Sequence, residues 1–556
     1  MDSSPPTQFT FRGRPESAEA DDTLLQHLAR RGLPTLQRSI RYHRPRTPFC
    51  GIGHCANCLV RVNGEPNVRA CRYVPRSGDA VTTSNAWPSP QHDLMGILDF
   101  VFPRGLDTLH GFRWPAWSTP WVQRVVRRLA GYGPIASTAV TDSSAGSAPV
   151  ELDVLVIGAG PAGRQTSQRL VEGGRSVGLL DRGAIPAPPP GVALFPHATA
   201  VFLPPPGPGQ DRGFEAVALE DPDRGRSFRA RAVVVASGAY DASLLFSGND
   251  RPGVMTAEGA VAMAPGDRAP PFHRALIVGG GPRAAEMLDR FGVRTEAIVA
   301  PGSISPEVTR RASDLSIDLY PRTLLLSASG RGRVRRAQLH ARGGGSEFSV
   351  PVDAIVLAHR RVPHTQLLFQ AGAQMEWRGT AGSYFPALEA GSRTSVPGLF
   401  AVGEVAGFVD GVAAEASALA AADAILGREV PPAAVRAPDG PHELEGYYRE
   451  WLRFAAGRGK QVACACEDVL LHELRDAVGR GYRGLEVVKR YTGLGTGLCQ
   501  GRYCLPDALL VLSILEGRPP PEVGYIRQRP PVIPTPLSAL AELPEPLPES
   551  SGPGGP

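Results

Sequence analysis

The chain has 556 residues, long enough for three or four domains of ordinary size. Its 59 basic residues exceed its 54 acidic ones by only 5, and no block of one sign is long enough for a nucleic-acid-binding tail, so no nucleic-acid partner is expected. Met1–Thr10 lacks a basic start and an apolar core, and no apolar run is of spanning length. A cytoplasmic protein with no transmembrane segment is the expectation.

The eight cysteines fall into two groups of four, separated by about 390 residues without any. In a reducing compartment such grouping points to metal or cluster ligation and not to structural disulfides. It also leaves no cysteine for a redox disulfide beside a flavin.

Residues 1–90 read as a small α+β unit, with a strand at Phe9–Arg12, a helix around Leu24–Arg31 and a strand at Leu59–Val62. Within it Cys50, Cys55 and Cys58 are spaced C-x4-C-x2-C, and Cys71 follows 13 positions on. That is the plant-type 2Fe-2S spacing. Gly51 and Gly53 fit a loop whose backbone N–H groups approach cluster sulfur, which side chains would obstruct. Zinc and a thioredoxin-like CxxC are the competing readings. The basic run Arg41–Arg46 either sets positive charge near an anionic cluster or forms a solvated loop.

Residues 91–148 form an irregular connecting segment. Trp87, Trp114, Trp117 and Trp121 lie in it or at its edge, and a basic helical stretch runs from Val122 to Leu129. Burial of these tryptophans between domains is expected, with a docking surface as the alternative.

From 149 to 432 short β-branched apolar runs alternate with alanine-rich helical stretches, the pattern of α/β architecture with parallel sheets. Strand Asp153–Ile157 leads into Gly158, Gly160, Pro161, Ala162 and Gly163, a GxGxxG turn opening a helix. Asp181, followed by Arg182, closes the next strand, Ser176–Leu180, where it can accept ribose hydroxyls while the turn cradles a pyrophosphate. A poorer copy runs through Gly279 and Gly281, inside an inner subdomain at about 260–369. Its following strand, Ala297–Ala300, ends in proline, so the ribose anchor is missing and the turn is either a weaker nucleotide site or structural.

Residues 440–518 read as a small helical domain around Cys464-Ala-Cys466 and, after a gap of 32 residues, Cys499-x4-Cys504. The glycine-rich stretch Tyr491–Gly497 supplies free backbone donors, and four thiolates here suit a second 2Fe-2S cluster or zinc. The proline-rich tail, 519–556, is expected to be extended or disordered.

The segment Ala232–Gly238, ending in Ser237 and Gly238, and the segment Thr394–Glu404, ending in Gly403 and Glu404, resemble stretches of flavoproteins with two dinucleotide-binding domains. That superfamily normally has aspartate where Glu404 stands, one methylene shorter. The C-terminal cysteine pattern resembles the bacterioferritin-associated ferredoxin type. With Arg41–Arg46, Asn249–Met255 and Val488–Thr492, the arrangement over roughly residues 8 to 515 is similar to the alpha subunits of bacterial multisubunit amine and imino-acid oxidoreductases. Sarcosine oxidase, opine oxidase, hydrogen cyanide synthase and proline or hydroxyproline dehydrogenase belong to that group. The cysteines resemble the cyanide synthase and opine oxidase members, where the ferredoxin part can be a separate chain. No counterpart of the folate-binding C-terminal half of sarcosine oxidase alpha is expected, and with it no folate-coupled capture of formaldehyde.

The resemblance implies two 2Fe-2S clusters, FAD at the first turn (or NAD or another adenine nucleotide), and possible FMN at a subunit interface. It implies an FAD-containing beta subunit that oxidises the amine, with this chain relaying electrons to an acceptor the sequence does not identify. An NAD(P)H-dependent ferredoxin reductase and a non-catalytic relay scaffold stay open as alternatives. No side-chain constellation for substrate chemistry can be picked out.

Overall fold

The computed structural model describes residues 5–32, 35–101, 120, 148–185, 187–206, 213–220, 224–266, 268–430, 443–455, 458–526 and 529–541. Trp114, Trp117, Trp121 and the basic stretch Val122–Leu129 lie outside them.

The N-terminal region begins with strands β1 (Thr7–Phe11) and β2 (Arg14–Ala18) and helix α1 (Leu24–Arg30). Thr23 starts the helix with a capping box, its hydroxyl accepting from Gln26 N while the Gln26 side chain accepts from Thr23 N. Strands β3 (Leu59–Val62), β4 (Glu65–Arg69) and β5 (Ala80–Thr82) complete a five-stranded sheet in the order β2-β1-β5-β3-β4. The strand and helix expected from periodicity are present, with ends shifted by one or two residues.

Strand β6 (Val150–Ile157) runs into helix α2 (Pro161–Glu172) and then β7 (Val177–Leu180), β8 (Ala193–Phe195), β9 (Ala198–Phe202), β10 (Phe214–Glu220) and β11 (Arg224–Val235). Next come β12 (Val254–Thr256), α3 (Ala257–Met263), β13 (Ala275–Val278), α4 (Pro282–Phe291), β14 (Thr295–Val299), α5 (Pro306–Asp314), β15 (Asp318–Tyr320) and β16 (Ala354–Leu357). Strand β17 (Leu399–Ala401) and helix α6 (Gly411–Ile425) follow. The C-terminal part holds α7 (Glu443–Phe454), β18 (Val462–Cys464), β19 (Val469–Leu470), α8 (Leu471–Gly479), α9 (Leu485–Thr492) and α10 (Leu505–Glu516).

These elements make two compact units. One unites residues 1–137, 241–361 and 442–525; the other unites 138–240, 362–441 and 526–556. In the second unit the sheet runs β8-β7-β6-β11-β10-β9, and β17 pairs in parallel with β11. Strands β6, β7, β11 and β17 are parallel neighbours whose C-terminal stretches, Val154–Ile157, Val177–Leu180, Ala232–Val235 and Leu399–Ala401, are apolar and buried on both faces. In the first unit the parallel sheet is β12-β16-β13-β14-β15, and one apolar core joins it to the N-terminal region through α1 and α3.

Two expectations are corrected. Parts of the proline-rich tail fold: short helices occupy Pro520–Val523 and Leu537–Ala541, and Val532 is buried and donates its N–H to Val201 O at 3.0 Å. Its prolines sit among apolar residues that find a core, which composition by itself does not reveal. Trp87, expected to be buried, is 66% exposed.

Candidate cofactor sites

In the N-terminal quartet, Cys50, Cys55, Cys58 and Cys71 are all buried. The loop between α1 and β3 brings Cys50 Sγ to 3.2 Å from Cys55 Sγ, and Cys71 lies two residues past the end of β4. Backbone amides turn toward the sulfurs: Gly53 N donates to Cys71 Sγ at 3.1 Å and Cys55 N to Cys50 Sγ at 3.3 Å. Burial pushes the Cys50 thiol up, but hydrogen bonds from the Cys55 and Cys71 thiols and from backbone amides more than reverse it, so Cys50 ionises well below the ordinary thiol range. Thiolates stabilised by amide donors are what a cluster requires of its ligands.

The C-terminal quartet is assembled from two stretches. Cys464 ends β18 and Cys466 lies in the turn to β19; Cys499 and Cys504 lie in the loop that opens α10. All four are buried. A hydrogen bond from Cys466 holds the Cys499 thiol below its usual range despite burial. At Gly497 a Cβ would lie 2.5 Å from Cys466 Cβ, so the two stretches close only over a bare backbone. Among the described residues no three His, Cys, Asp or Glu side chains are gathered as ligands of one ion. A 2Fe-2S cluster makes a different demand, dividing four thiolates between two irons.

Both quartets lie in the same unit and meet at one cavity, whose wall includes Cys55 from the first and all four cysteines of the second. The rings of Phe49 and Tyr503, each the neighbour of a quartet cysteine, stand 5.2 Å apart edge to face. Asp507 also lines the cavity; buried, it pairs with Arg360 at 2.8 Å and accepts from Ser243 Oγ at 2.7 Å. Burial raises its carboxyl above the ordinary range even so.

The basic run Arg41–Arg46 is not a solvated loop. Tyr42, His43, Arg44 and Arg46 are buried. Arg44 pairs with Asp250 and Asp468, and Arg41 with Glu473 at 3.0 Å. Arg46 Nη2 donates to Ala465 O and Cys466 O, both at 2.7 Å, so this segment grips the second quartet's loop. Sequence reasoning singled out the run but not Asp468, Asp507, Phe49 or Tyr503, which carry no motif.

In the other unit, Gly158 has φ +112° and a Cβ there would lie 2.3 Å from Ala236 O. A Cβ on Gly163 would meet Gly158 O at 1.9 Å, so α2 packs against the turn only without side chains. Gly160 faces open space, and Pro161 and Ala162 begin α2. Asp181 accepts from Ala159 N at 2.8 Å and Gly183 N at 2.7 Å, which ties the strand end to the glycine turn; Arg182 follows it. Ser237 Oγ donates to His364 O at 3.0 Å, and a Cβ on Gly238 would lie 3.6 Å from Glu404 Oε2. Gly403 N donates to Ser417 Oγ at 3.0 Å, and a Cβ on Gly403 would lie 3.1 Å from Ala162 Cβ. These expected residues thus converge on one end of the β6-β11-β17 sheet, around an open backbone turn that fits a dinucleotide.

The second glycine turn belongs to the first unit. Gly279 has φ +150° and its Cβ would meet Ala358 O at 2.4 Å; Gly281 precedes α4. Strand β14 ends without an acid, yet the Glu443 carboxylate, 140 positions on in sequence, accepts from Ser303 N at 3.3 Å.

Family models match three parts of the chain: a 2Fe-2S iron-sulfur cluster binding domain at residues 4–86, a pyridine nucleotide-disulphide oxidoreductase at 208–432 and a sarcosine oxidase A3 domain at 458–543. The alpha chain of sarcosine oxidase from Rhizobium meliloti is 28% identical over 97% of this chain and 58% of its own length. The corresponding opine oxidase protein of Agrobacterium tumefaciens is 26% identical over 70% of this chain and 92% of that one. The HcnA protein of hydrogen cyanide synthase from Pseudomonas aeruginosa is 40% identical over 14% of this chain and 71% of that one. The chain belongs to this family of iron-sulfur flavoprotein subunits. The crystal structure of L-proline dehydrogenase from P. horikoshii shares the fold, with TM-score 0.67 at 19% identity over 97% of this chain and 98% of that one. The chain spans 58% of the length of its sarcosine oxidase relative. The family models support an iron-sulfur cluster and FAD as cofactors. Among the described residues no helix is long and apolar enough to cross a membrane.

Proposed function

We propose that this chain is the electron-relaying subunit of an oxidoreductase acting on C–N bonds of amino acids or secondary amines. A partner subunit with its own FAD would oxidise the amine. The relatives named for sarcosine and opine oxidation support the substrate class. The observation that carries the relay reading is the single cavity walled by Cys55 and by Cys464, Cys466, Cys499 and Cys504.

In this reading Cys50, Cys55, Cys58 and Cys71 hold one 2Fe-2S cluster, and Cys464, Cys466, Cys499 and Cys504 hold a second. Gly158, Gly160, Pro161, Ala162, Gly163, Asp181, Arg182, Ser237, Gly238, Gly403 and Glu404 hold FAD. Residues 1–90, 149–432 and 440–518 are the corresponding domains, with Gly279 and Gly281 in the inner subdomain. When bound, such cofactors supply the one- and two-electron chemistry. The protein's own residues position them: backbone amides donate to the thiolates, Asp181 fixes the glycine turn, and Phe49, Leu244, Leu245, Val254 and Leu357 give the cavity between the quartets an apolar part of its wall.

Anaerobic iron, sulfide, zinc and flavin analysis tests this, followed by EPR after dithionite reduction. About four iron and four sulfide per chain with two separable 2Fe-2S signals and bound FAD are expected. Zinc in place of iron, or no flavin, would overturn the reading; NAD or FMN in the extract would revise the nucleotide assignment. Reduction by NADH without any partner would favour a ferredoxin reductase instead.

A further inference from the structure

Arg46 stands four residues before Cys50, yet its guanidinium is turned to the other quartet. Its two bonds, to Ala465 O and Cys466 O, bracket the peptide that carries the Cys466 thiol. The side chain is 7% exposed, and its Nε is buried without a hydrogen-bond partner. Its neighbours are matched: Arg44 shares its charge between Asp250 and Asp468, and Arg41 faces Glu473. Among the described residues Arg46 makes no ion pair within 4.0 Å, and the carboxylate close enough to feel its charge, Asp468, is already bonded to Arg44. A buried cation held only by carbonyl oxygens is costly unless an anion lies nearby.

We propose that Arg46, supplied by the N-terminal region, is the counter-charge of a cluster held by the C-terminal quartet and raises its midpoint potential selectively. This rests on the reading that Cys464, Cys466, Cys499 and Cys504 hold a 2Fe-2S cluster. Such a cluster is anionic and becomes one charge more negative on reduction. A fixed cation in a poorly polarisable surrounding therefore stabilises the reduced form more than the oxidised one. Arg46 is thus a tuning and positioning residue. It also makes the driving force between the two clusters depend on how the N-terminal region is seated.

The test is an EPR-monitored redox titration of the full chain, wild type beside Arg46→Gln and Arg46→Lys. Wild type comes first: absence of a second 2Fe-2S signal there defeats the underlying reading and not the role of Arg46. With both signals present, Arg46→Gln is expected to move the C-terminal midpoint to more negative potential and leave the N-terminal one in place. Arg46→Lys, which keeps the charge, is expected to stay near wild type. An unmoved midpoint in Arg46→Gln, an equal fall in both variants, or loss of the second signal in both would overturn the proposal. Should Arg46→Gln alone fail to take up iron, Asp468→Asn decides. Removing that neighbouring negative charge is expected to shift the same midpoint positive, and no shift would overturn the proposal.

Discussion

The two cysteine quartets each bury four thiols, in opposite ways. The N-terminal set lies within residues 50–71, and the amides turned toward its sulfurs come from the same loop. The C-terminal set joins two stretches of its own region, and beside its own Arg502, which donates to Cys499 O at 3.2 Å, it is held by Arg46 from more than 400 positions away. A local loop can specify its ligands and their donors together. A composite site can specify ligands locally while leaving its electrostatics to another part of the chain.

The largest expected effect separates the sites outright. Cys55→Ser and Cys499→Ser should each reduce iron and sulfide from about four to about two per chain and delete one EPR signal while sparing the other. Loss of both signals from either change would show the quartets to be interdependent and break the comparison.

Smaller effects should follow from glycines that let each loop close. Gly51 has φ +66°, and its Cβ would sit 2.4 Å from Ala262 Cβ on α3, so Gly51→Ala combines backbone strain with a clash. A loss of about 2 kcal/mol in denaturant unfolding and lower occupancy of the N-terminal cluster are expected. Gly497→Ala should disturb only the C-terminal signal, because its obstacle is Cys466 Cβ.

The smallest effect concerns Asp22, which precedes α1 and accepts from Arg30 and from Arg268 of the adjoining sheet region. Burial pushes its carboxyl up, but the two guanidinium groups outweigh this and hold it below the ordinary range. A lowered folded-state pKa means that its stabilisation is complete above the unfolded value and is lost as pH falls through the folded one. Asp22→Asn should cost about 1–2 kcal/mol at neutral pH, with the difference from wild type shrinking as the solution is acidified below about pH 4. A difference in thermal unfolding that is flat with pH would show that the Asp22 charge contributes nothing.

Ligands and nucleotide turns were legible because cluster and dinucleotide chemistry constrain residues close together in sequence: C-x4-C-x2-C, C-x-C with C-x4-C, and GxGxxG followed by Asp181. The run Arg41–Arg46 could be seen but not read. A charge run states neither its burial nor its partner, and the partners Asp250, Asp468 and Glu473 lie far along the chain. Glu443 was invisible for the same reason, since the second turn looked only for an acid at the end of its own strand. The tail was misread because proline content reports local stiffness, whereas Val532 packs in a core made by strands hundreds of residues earlier.

The sequence by itself thus determined which atoms can ligate and where the backbone must be bare, since both requirements are met within a few bonds of each other. Only the tertiary structure decided that the two quartets share a cavity wall and that Arg46 attends the distant one. Burial, charge pairing and dielectric depend on which surfaces pack together, and packing is settled by apolar faces whose partners no local pattern names.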